Sequence, residues 1–498
     1  MARQHDGPAS RADGGTGEID RRKFLRMSMI GTVATAGGFA LAGNAGARAQ
    51  AEELSSRVVH QRDVADGLVQ AGAELALPPG FSYTVLQVAG EAMSDGFLSP
   101  QIPDGMGVFP ASNGTYRIVR NHELGDGNDV PAGTVIGIPD VAYDKRSPGG
   151  TTTLTVDTDG NLLDCFISMN GTNSNCSGTA TPWGTWLSCE ETTVGRSDGC
   201  SSSHGYVFEV DPYAAGPKKH KPLKAMGRFV HEAGAVDEET GVVYLTEDNN
   251  PDGFYRFIPK MRGALARGGR LQMLGIKGEP GYGTVVGQRV GDKLPVVWID
   301  IDDPDPSSAE DDAASVYRSG RAKGGAKFLS GEGCTQRGGS VVFDSSDGGD
   351  AGLGQIWEYT PTMNVGEPDE QGDLVLLYES SDKKRLDGPD NMCTTPGGAI
   401  LIAEDGSDRT NMMRALLDDG SMITFGQNLV QVRLQLIGAS GKTYDPNVPN
   451  DDVGIEAGMG ASEFAGPRFS PDGKWLFVSI QVPGITFAIT GPWADLGL

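Results

Sequence analysis

The chain reads as an all-β fold, a six-bladed β-propeller with a short helical insertion. Two observations carry this expectation: a turn–strand–acid unit that recurs six times, and a glycine and proline content that leaves little room for long helices. The clearest unit runs from His231 to Asp248. It holds Glu232, a polar turn ending in Gly241, the β-branched and aromatic run Val242 to Thr246, and the acidic pair Glu247-Asp248. The turn has hairpin chemistry and the run has strand composition. Close copies start at Glu332 (Gly338-Gly339, Ser340 to Phe343, Asp347) and at Asp390 (Pro396 to Gly398, Ala399 to Ala403, Glu404-Asp405). Looser copies run from Asp104 through Gly114 and Tyr116 to Val119 to His122-Glu123, and from Asn175 through Gly184 to Leu187 to Cys189-Glu190-Glu191. The last leads from Glu463 through Ser470-Pro471-Asp472-Gly473 and Trp475 to Ile480 to Gln481.

Repeats of this kind suit a propeller with insertions. The whole chain has 73 glycines and 29 prolines and no long helical periodicity. Six blades of four strands need roughly 360 to 480 residues, and about 450 follow residue 49, so residues 50–498 are read as one domain. The helical insertion is expected within Ser307 to Phe328, around Val316-Tyr317-Arg318; Met412 to Leu417, free of glycine and proline, is a second and weaker helical candidate. Asp302 to Asp305 and Asn447 to Asp452 read as solvated acidic loops.

Equivalent strand ends of a propeller converge on one mouth, so six units predict a ring of carboxylates there. Ionised carboxylates at close quarters raise one another's pKa unless a cation compensates, and hard, oxygen-seeking cations are the natural compensation. Acids that merely cap strand ends are the simpler explanation for any one unit; six in register favour the ring.

The first 49 residues read as an export signal. Asp20-Arg21-Arg22-Lys23-Phe24-Leu25-Arg26 is a twin-arginine motif, followed by the apolar region Met27 to Ala42 and the small-residue cleavage site Ala47-Arg48-Ala49. Sixteen residues rich in glycine fall short of the roughly 20 that cross a bilayer, so no stable membrane anchor is expected. The twin-arginine export machinery is then a partner, and the mature protein is periplasmic or secreted. The formal charge of -25 makes nucleic acid and anionic lipid unsuitable partners. Six histidines, no Gly-x-Ser-x-Gly elbow and no Walker loop leave serine-hydrolase and P-loop chemistry without support.

The six cysteines, Cys165, Cys176, Cys189, Cys200, Cys334 and Cys393, contain no Cys-x-x-Cys pair. Cys189 stands directly before Glu190 and Glu191, where other units place carboxylates. A thiolate there favours a transition metal such as iron over calcium alone; a disulfide with Cys176 or Cys200 is an equally open reading. Cys334 and Cys393 suit either buried apolar positions or a bridged pair.

Thr181-Pro182-Trp183-Gly184-Thr185-Trp186-Leu187-Ser188-Cys189-Glu190-Glu191, Gly227-Arg228-Phe229-Val230-His231-Glu232 and Ser470-Pro471-Asp472-Gly473 resemble signatures of the PhoX-type alkaline phosphatases and their shorter relatives. Glu332-Gly333, Pro389-Asp390-Asn391 and Glu404-Asp405 extend the resemblance, which spans roughly Leu77 to the C-terminus. It implies a six-bladed propeller with iron (Fe3+) and calcium (Ca2+) ions at one mouth, hydrolysing small-molecule phosphate monoesters after export. Position by position, Cys189 matches the family's iron-binding cysteine, and Glu232 and Glu332 its carboxylate ligands. Unit equivalence extends the ligand set to Glu123, Glu190, Glu247, Asp390 and Glu404. No side-chain nucleophile is assigned; a metal-bound water or oxo group is expected to take that part. The family carries Arg-x-Glu in the fourth unit, its arginine holding phosphate, and this chain has Ser330-Gly331-Glu332. Arg337, Arg228 and Arg120 lie near unit ends and are the candidates to replace that arginine, unless they serve inter-blade or surface pairs. A calcium-dependent propeller lactonase and a non-catalytic propeller with structural metals are the alternatives.

Overall fold

The computed structural model describes residues 64–125, 135–367, 370–406, 411–433, 459–460 and 462–498, with backbone alone at 58–60, 431–433 and 459–460. These fall in one compact unit, 36–433 with 459–498; the other unit, 1–35 with 434–458, lies outside the described residues, as do the export signal and Asn447 to Asp452. The described chain is all-β with one α-helix, in a propeller-like arrangement of antiparallel sheets.

Each expected strand run forms a strand and each turn before it closes a hairpin. Pro103–Pro110, Tyr116–His122, Gly149–Val156 and Leu162–Thr172 make a four-stranded sheet, and Asn175–Ala180, Trp186–Glu190 and Val207–Val210 a three-stranded one. His231–Val236, Val243–Glu247, Tyr255–Pro259 and Gly269–Ile276 run in order and join through Lys293–Asp300 to Gln371–Glu379, Gln355–Met363, Ser340–Ser345 and Cys334–Arg337, giving nine strands. Pro389–Thr394, Ile400–Glu404, Met412–Leu416 and Met422–Asn428 continue into Leu75–Leu77 and Val69–Gln70. Phe464–Phe469, Leu476–Ile480 and Ile485–Thr490 finish on Ser82–Val88, so an early strand and the last three strands of the described chain share a sheet. The first strands of these sequences neighbour one another cyclically: Pro103–Pro110 lies beside Asn175–Ala180, then come His231–Val236, Cys334–Arg337, Pro389–Thr394 and Phe464–Phe469, which returns to Pro103–Pro110.

Apolar wedges between neighbouring sheets hold this arrangement. Leu187 and Val207 pack with Val243, Tyr255 and Leu271; Phe254, Phe343 and Trp357 fill the next wedge; Tyr116 and Leu154 meet Trp475 and Phe477 where the chain closes. Each fully buried side chain of this size contributes roughly 1.5–3 kcal/mol.

The helix is Ser315–Ala322, inside the expected interval, with Val316, Tyr317 and Gly320 buried. Glycine is required at 320, where a Cβ would strike the Met273 sulfur. Met412–Leu416 departs from its expected helix: it is a buried strand paired on one side with Ile400–Glu404 and on the other with Met422–Asn428. Helix-forming composition yields there to two ladders of hydrogen bonds and a buried site.

Candidate metal centre

One backbone motif recurs at the same end of all six units. The residue after each second strand donates its N–H to a carbonyl just ahead of the first strand: Glu123 to Ile102, Glu191 to Ser174, Asp248 to Val230, Ser346 to Ser330, Asp405 to Gly388 and Gln481 to Glu463. Two residues beyond each accepting carbonyl stand Asp104, Cys176, Glu232, Glu332, Asp390 and Ala465. Five of these six lead positions therefore carry a metal-ligating side chain. The sixth unit leads with Ala465 rather than the expected Glu463.

Strand register shows how these side chains are aimed. Pro103 pairs with His122, Asn175 with Glu190, His231 with Glu247 and Pro389 with Glu404. Past each pair the first strand spends one residue more than its partner before pairing resumes, at Met106, Gly178, Gly234 and Met392. The lead residue lies within this bulge, a device that redirects a side chain.

The directed side chains form a continuous arc. Ligand atoms of Asp104, Glu123 and Cys176, of Cys176, Glu191 and Glu232, and of Glu232, Glu332 and Asp390 lie within 4.8 Å of one another in each group, so Cys176 and Glu232 link the three. The Cys176 thiol donates to Glu232 Oε1 at 3.1 Å. Gln481 Nε2 holds Asp104 Oδ2 at 2.8 Å and Glu123 Oε2 at 2.7 Å, and Ser346 Oγ donates to Glu332 Oε1 at 3.3 Å. Burial, then Glu191, Glu332, Asp390 and Asp104, push the Glu232 carboxyl well above the usual range. Burial, then Asp104, Glu232, Glu123 and Glu191, push the Cys176 thiol up. Glu232 Oε2 is buried and has no hydrogen-bond partner among the described residues. An orphaned carboxylate oxygen in a ring of acids is costly unless a cation binds it, so these residues fit a group of cations: oxygens for hard ions and one sulfur for a transition metal.

Of the expected ligands, Glu123, Glu232, Glu332 and Asp390 come together in this arc, and Glu190, Glu247 and Glu404 do not join its three groups. Adjacent residues of a strand face opposite ways, so the pair Glu190-Glu191 divides, Glu191 toward the arc and Glu190 away. Glu190 accepts Asn173 N–H at 3.0 Å, Gly205 N–H at 2.8 Å and Tyr206 N–H at 3.1 Å, and lies 2.6 Å from His204 Nδ1. Glu247 accepts Gly253 N–H at 3.3 Å and the Tyr255 hydroxyl at 2.6 Å; Glu404 accepts Asp387 N–H at 3.1 Å, Met412 N–H at 3.2 Å and Arg414 Nε–H at 2.8 Å. All three hold the loop that follows their strand.

Cys189 also lies elsewhere than expected. It packs with Leu187, Val207, Phe229 and Val243 in the wedge between two sheets, and burial raises its pKa. The cysteine beside the carboxylates is Cys176, and none of the six cysteines is bridged. The signal was in the sequence: Asn175-Cys176 opens its unit as Pro103-Asp104, His231-Glu232 and Pro389-Asp390 open theirs.

The three arginines are engaged away from the arc. Arg120 is buried against Thr152, Thr486, Gln87 and Ser99. Arg228 donates to the carbonyls of His204 and Thr193, and Arg337 bonds the Gly398 carbonyl and Asp418 at the far end of its strand. Ser330 donates to Asp347 Oδ2 at 3.1 Å and takes φ +47°, while Asp252 Oδ2 accepts Gly331 N–H at 2.7 Å. Ser330-Gly331 is thus a braced stretch of irregular backbone that delivers Glu332.

Fold and site together define a propeller-like all-β protein with a carboxylate–thiol cluster that is a candidate to hold cations. The chain belongs to the alkaline phosphatase PhoX family, whose model matches residues 64–164 and 159–484. A comparison with curated proteins found no match. Among solved structures the chain is similar to a putative gluconolactonase (10% identity, TM-score 0.38, covering 83% of this chain and 93% of that one). It is also similar to a gluconolactonase from Xanthomonas campestris (12%, 0.35, 85% and 99%) and a luciferin-regenerating enzyme (9%, 0.35, 78% and 92%). Among the described residues no helix is long and apolar enough to cross a membrane.

Proposed function

We propose that this protein is an exported metal-dependent phosphate monoesterase, a six-bladed propeller whose mouth binds iron (Fe3+) and calcium (Ca2+). The observation that carries the reading is the arc of lead residues, four acids and one thiol, in a chain of the PhoX family. Six copies of one backbone motif and the cyclic order of the first strands support six blades. Asp20 to Ala49 supports twin-arginine export to the periplasm or beyond.

Cys176, Glu191 and Glu232 offer the mixed sulfur and oxygen set that suits iron, and Asp104, Glu123, Glu332 and Asp390 the oxygen sets that suit calcium. Cations held by these residues would supply charge to neutralise phosphoryl oxygens and would acidify a water for in-line attack. The chain supplies the positioning. Gln481 fixes Asp104 and Glu123, and the braced stretch at Ser330-Gly331 positions Glu332. With serine in the family's arginine position and Arg120, Arg228 and Arg337 committed elsewhere, none of these arginines is placed to clamp the ester, which would depend on the cations for its charge. A weak affinity for phosphate esters follows, read as a high KM.

The test is metal analysis and turnover of mature protein exported by its native host, on panels of phosphate monoesters and of lactones. Iron, calcium and phosphate release are expected, with both metals and activity lost in Glu232→Gln. A metal-replete protein that leaves every phosphate ester intact, or opens lactones instead, overturns the reading.

A further inference from the structure

Beyond the mouth, and independent of the activity proposed for it, Asp144, Cys200 and His204 converge from two loops. Asp144 lies in the loop before Gly149–Val156, and the other two in the loop between Trp186–Glu190 and Val207–Val210. All three are buried, and one ligand atom from each lies within 4.8 Å of the others. His204 Nδ1 is 2.6 Å from Glu190 Oε1, which can only accept a proton held on that nitrogen, so Nε2 is the ring atom left to face Asp144 and Cys200. Around Nε2 stand the Ser147 hydroxyl at 3.0 Å and Asp144 Oδ2 at 3.5 Å, with the Cys200 sulfur 3.6 Å from the same hydroxyl. Asp144 is held in place by the N–H groups of Arg146, Ser201 and Ser202 and by the Ser201 hydroxyl.

We propose that Asp144, Cys200 and His204 form a zinc site that staples the first two sheets together. One imidazole nitrogen, one thiolate and one carboxylate oxygen are a tetrahedral zinc set, with the Ser147 hydroxyl or water as fourth ligand. A histidine whose far nitrogen is held by a carboxylate is the usual outer-shell support of a bound metal, which gives Glu190 its part. The site and the mouth lie back to back, Glu190 serving one and Glu191 the other. Zinc binding releases the Cys200 thiol proton to solvent.

The arrangement it must beat is an imidazolium held between Glu190 and Asp144 with no metal. The deciding experiment equilibrates full-length mature protein with zinc alone and measures bound zinc in wild type, Cys200→Ser, His204→Gln, Glu190→Gln and Cys176→Ser. Wild type and Cys176→Ser should share a tight equivalent that Cys200→Ser and His204→Gln lack, and Glu190→Gln should weaken it roughly 10- to 100-fold. Zinc X-ray absorption on Cys176→Ser, which leaves the three ligands intact, should show one Zn–S distance of about 2.3 Å; this reading stands even where the Cys200 variant fails to fold. No tight zinc in wild type, zinc lost with Cys176→Ser alone, or no sulfur in the Cys176→Ser spectrum overturns the proposal.

Discussion

Cys176 and Cys189 are both buried, and their surroundings assign them different work. Cys176 faces four carboxylates, whereas Cys189 faces Leu187, Val207 and Val243. Cys176→Ser is expected to lose iron and most phosphate-ester turnover, because a hydroxyl is a poor substitute for thiolate at a transition metal. Cys189→Ser should keep both and lose about 1–3 kcal/mol of stability, the cost of a hydroxyl in an apolar wedge; metal analysis and thermal melts of the two variants separate these outcomes. Arg120 gives a parallel test. Its guanidinium joins Thr152 to Gln87 and Thr486, so Arg120→Met should lower the melting temperature without raising KM, and a raised KM at unchanged stability would place it at the substrate instead.

Strands, turns and the helical insertion were legible because their signals are local: alternation, a glycine turn and an acidic stop. Which of two neighbouring acids faces the mouth was not, because it depends on how their strand is oriented in the sheet, which only its pairing with the partner strand reveals. Glu190 and Glu191 are alike as residues and differ by one step of register. Cys176 is a different case: the alignment of Asn175-Cys176 with Pro103-Asp104 and His231-Glu232 was in the sequence, and the Asn175 to Glu190 pairing makes that equivalence explicit. Met412–Leu416 shows tertiary context at work, since its flanking strands supply hydrogen bonds that its own composition does not announce. The loop-holding part of Glu404 is testable at this scale. Glu404→Gln leaves a buried Arg414 without its carboxylate, so stability should fall while iron and calcium content stay at wild-type levels. Metal loss matched to that of Glu232→Gln would return Glu404 to the ligand set.

Across the whole molecule, buried acids dictate how metal-free protein answers to pH. Burial raises Glu247 to about 8 and Glu404 to about 7 from an ordinary 4.5, and burial with the neighbouring acids raises Glu232 well above it. Between pH 4.5 and 8 these carboxyls therefore hold more protons in the folded state than in the unfolded one, and the stability they contribute falls as pH rises; buried His122 and His231, whose pKa is lowered, act in the opposite sense below their ordinary 6.5. Melts in chelator should show a midpoint that declines from pH 6.5 to 8, and bound metals should remove only the part of the decline that comes from Glu232, since Glu247 and Glu404 lie outside the arc. Glu247→Gln should flatten part of it without metal. The centre itself is tested most directly by anomalous diffraction at the iron edge from crystals of metal-loaded protein. A peak at bonding distance from Cys176 Sγ and Glu232 is the expected result, whereas iron bound at Cys189, or no iron within the arc from Asp104 to Asp390, would contradict the account.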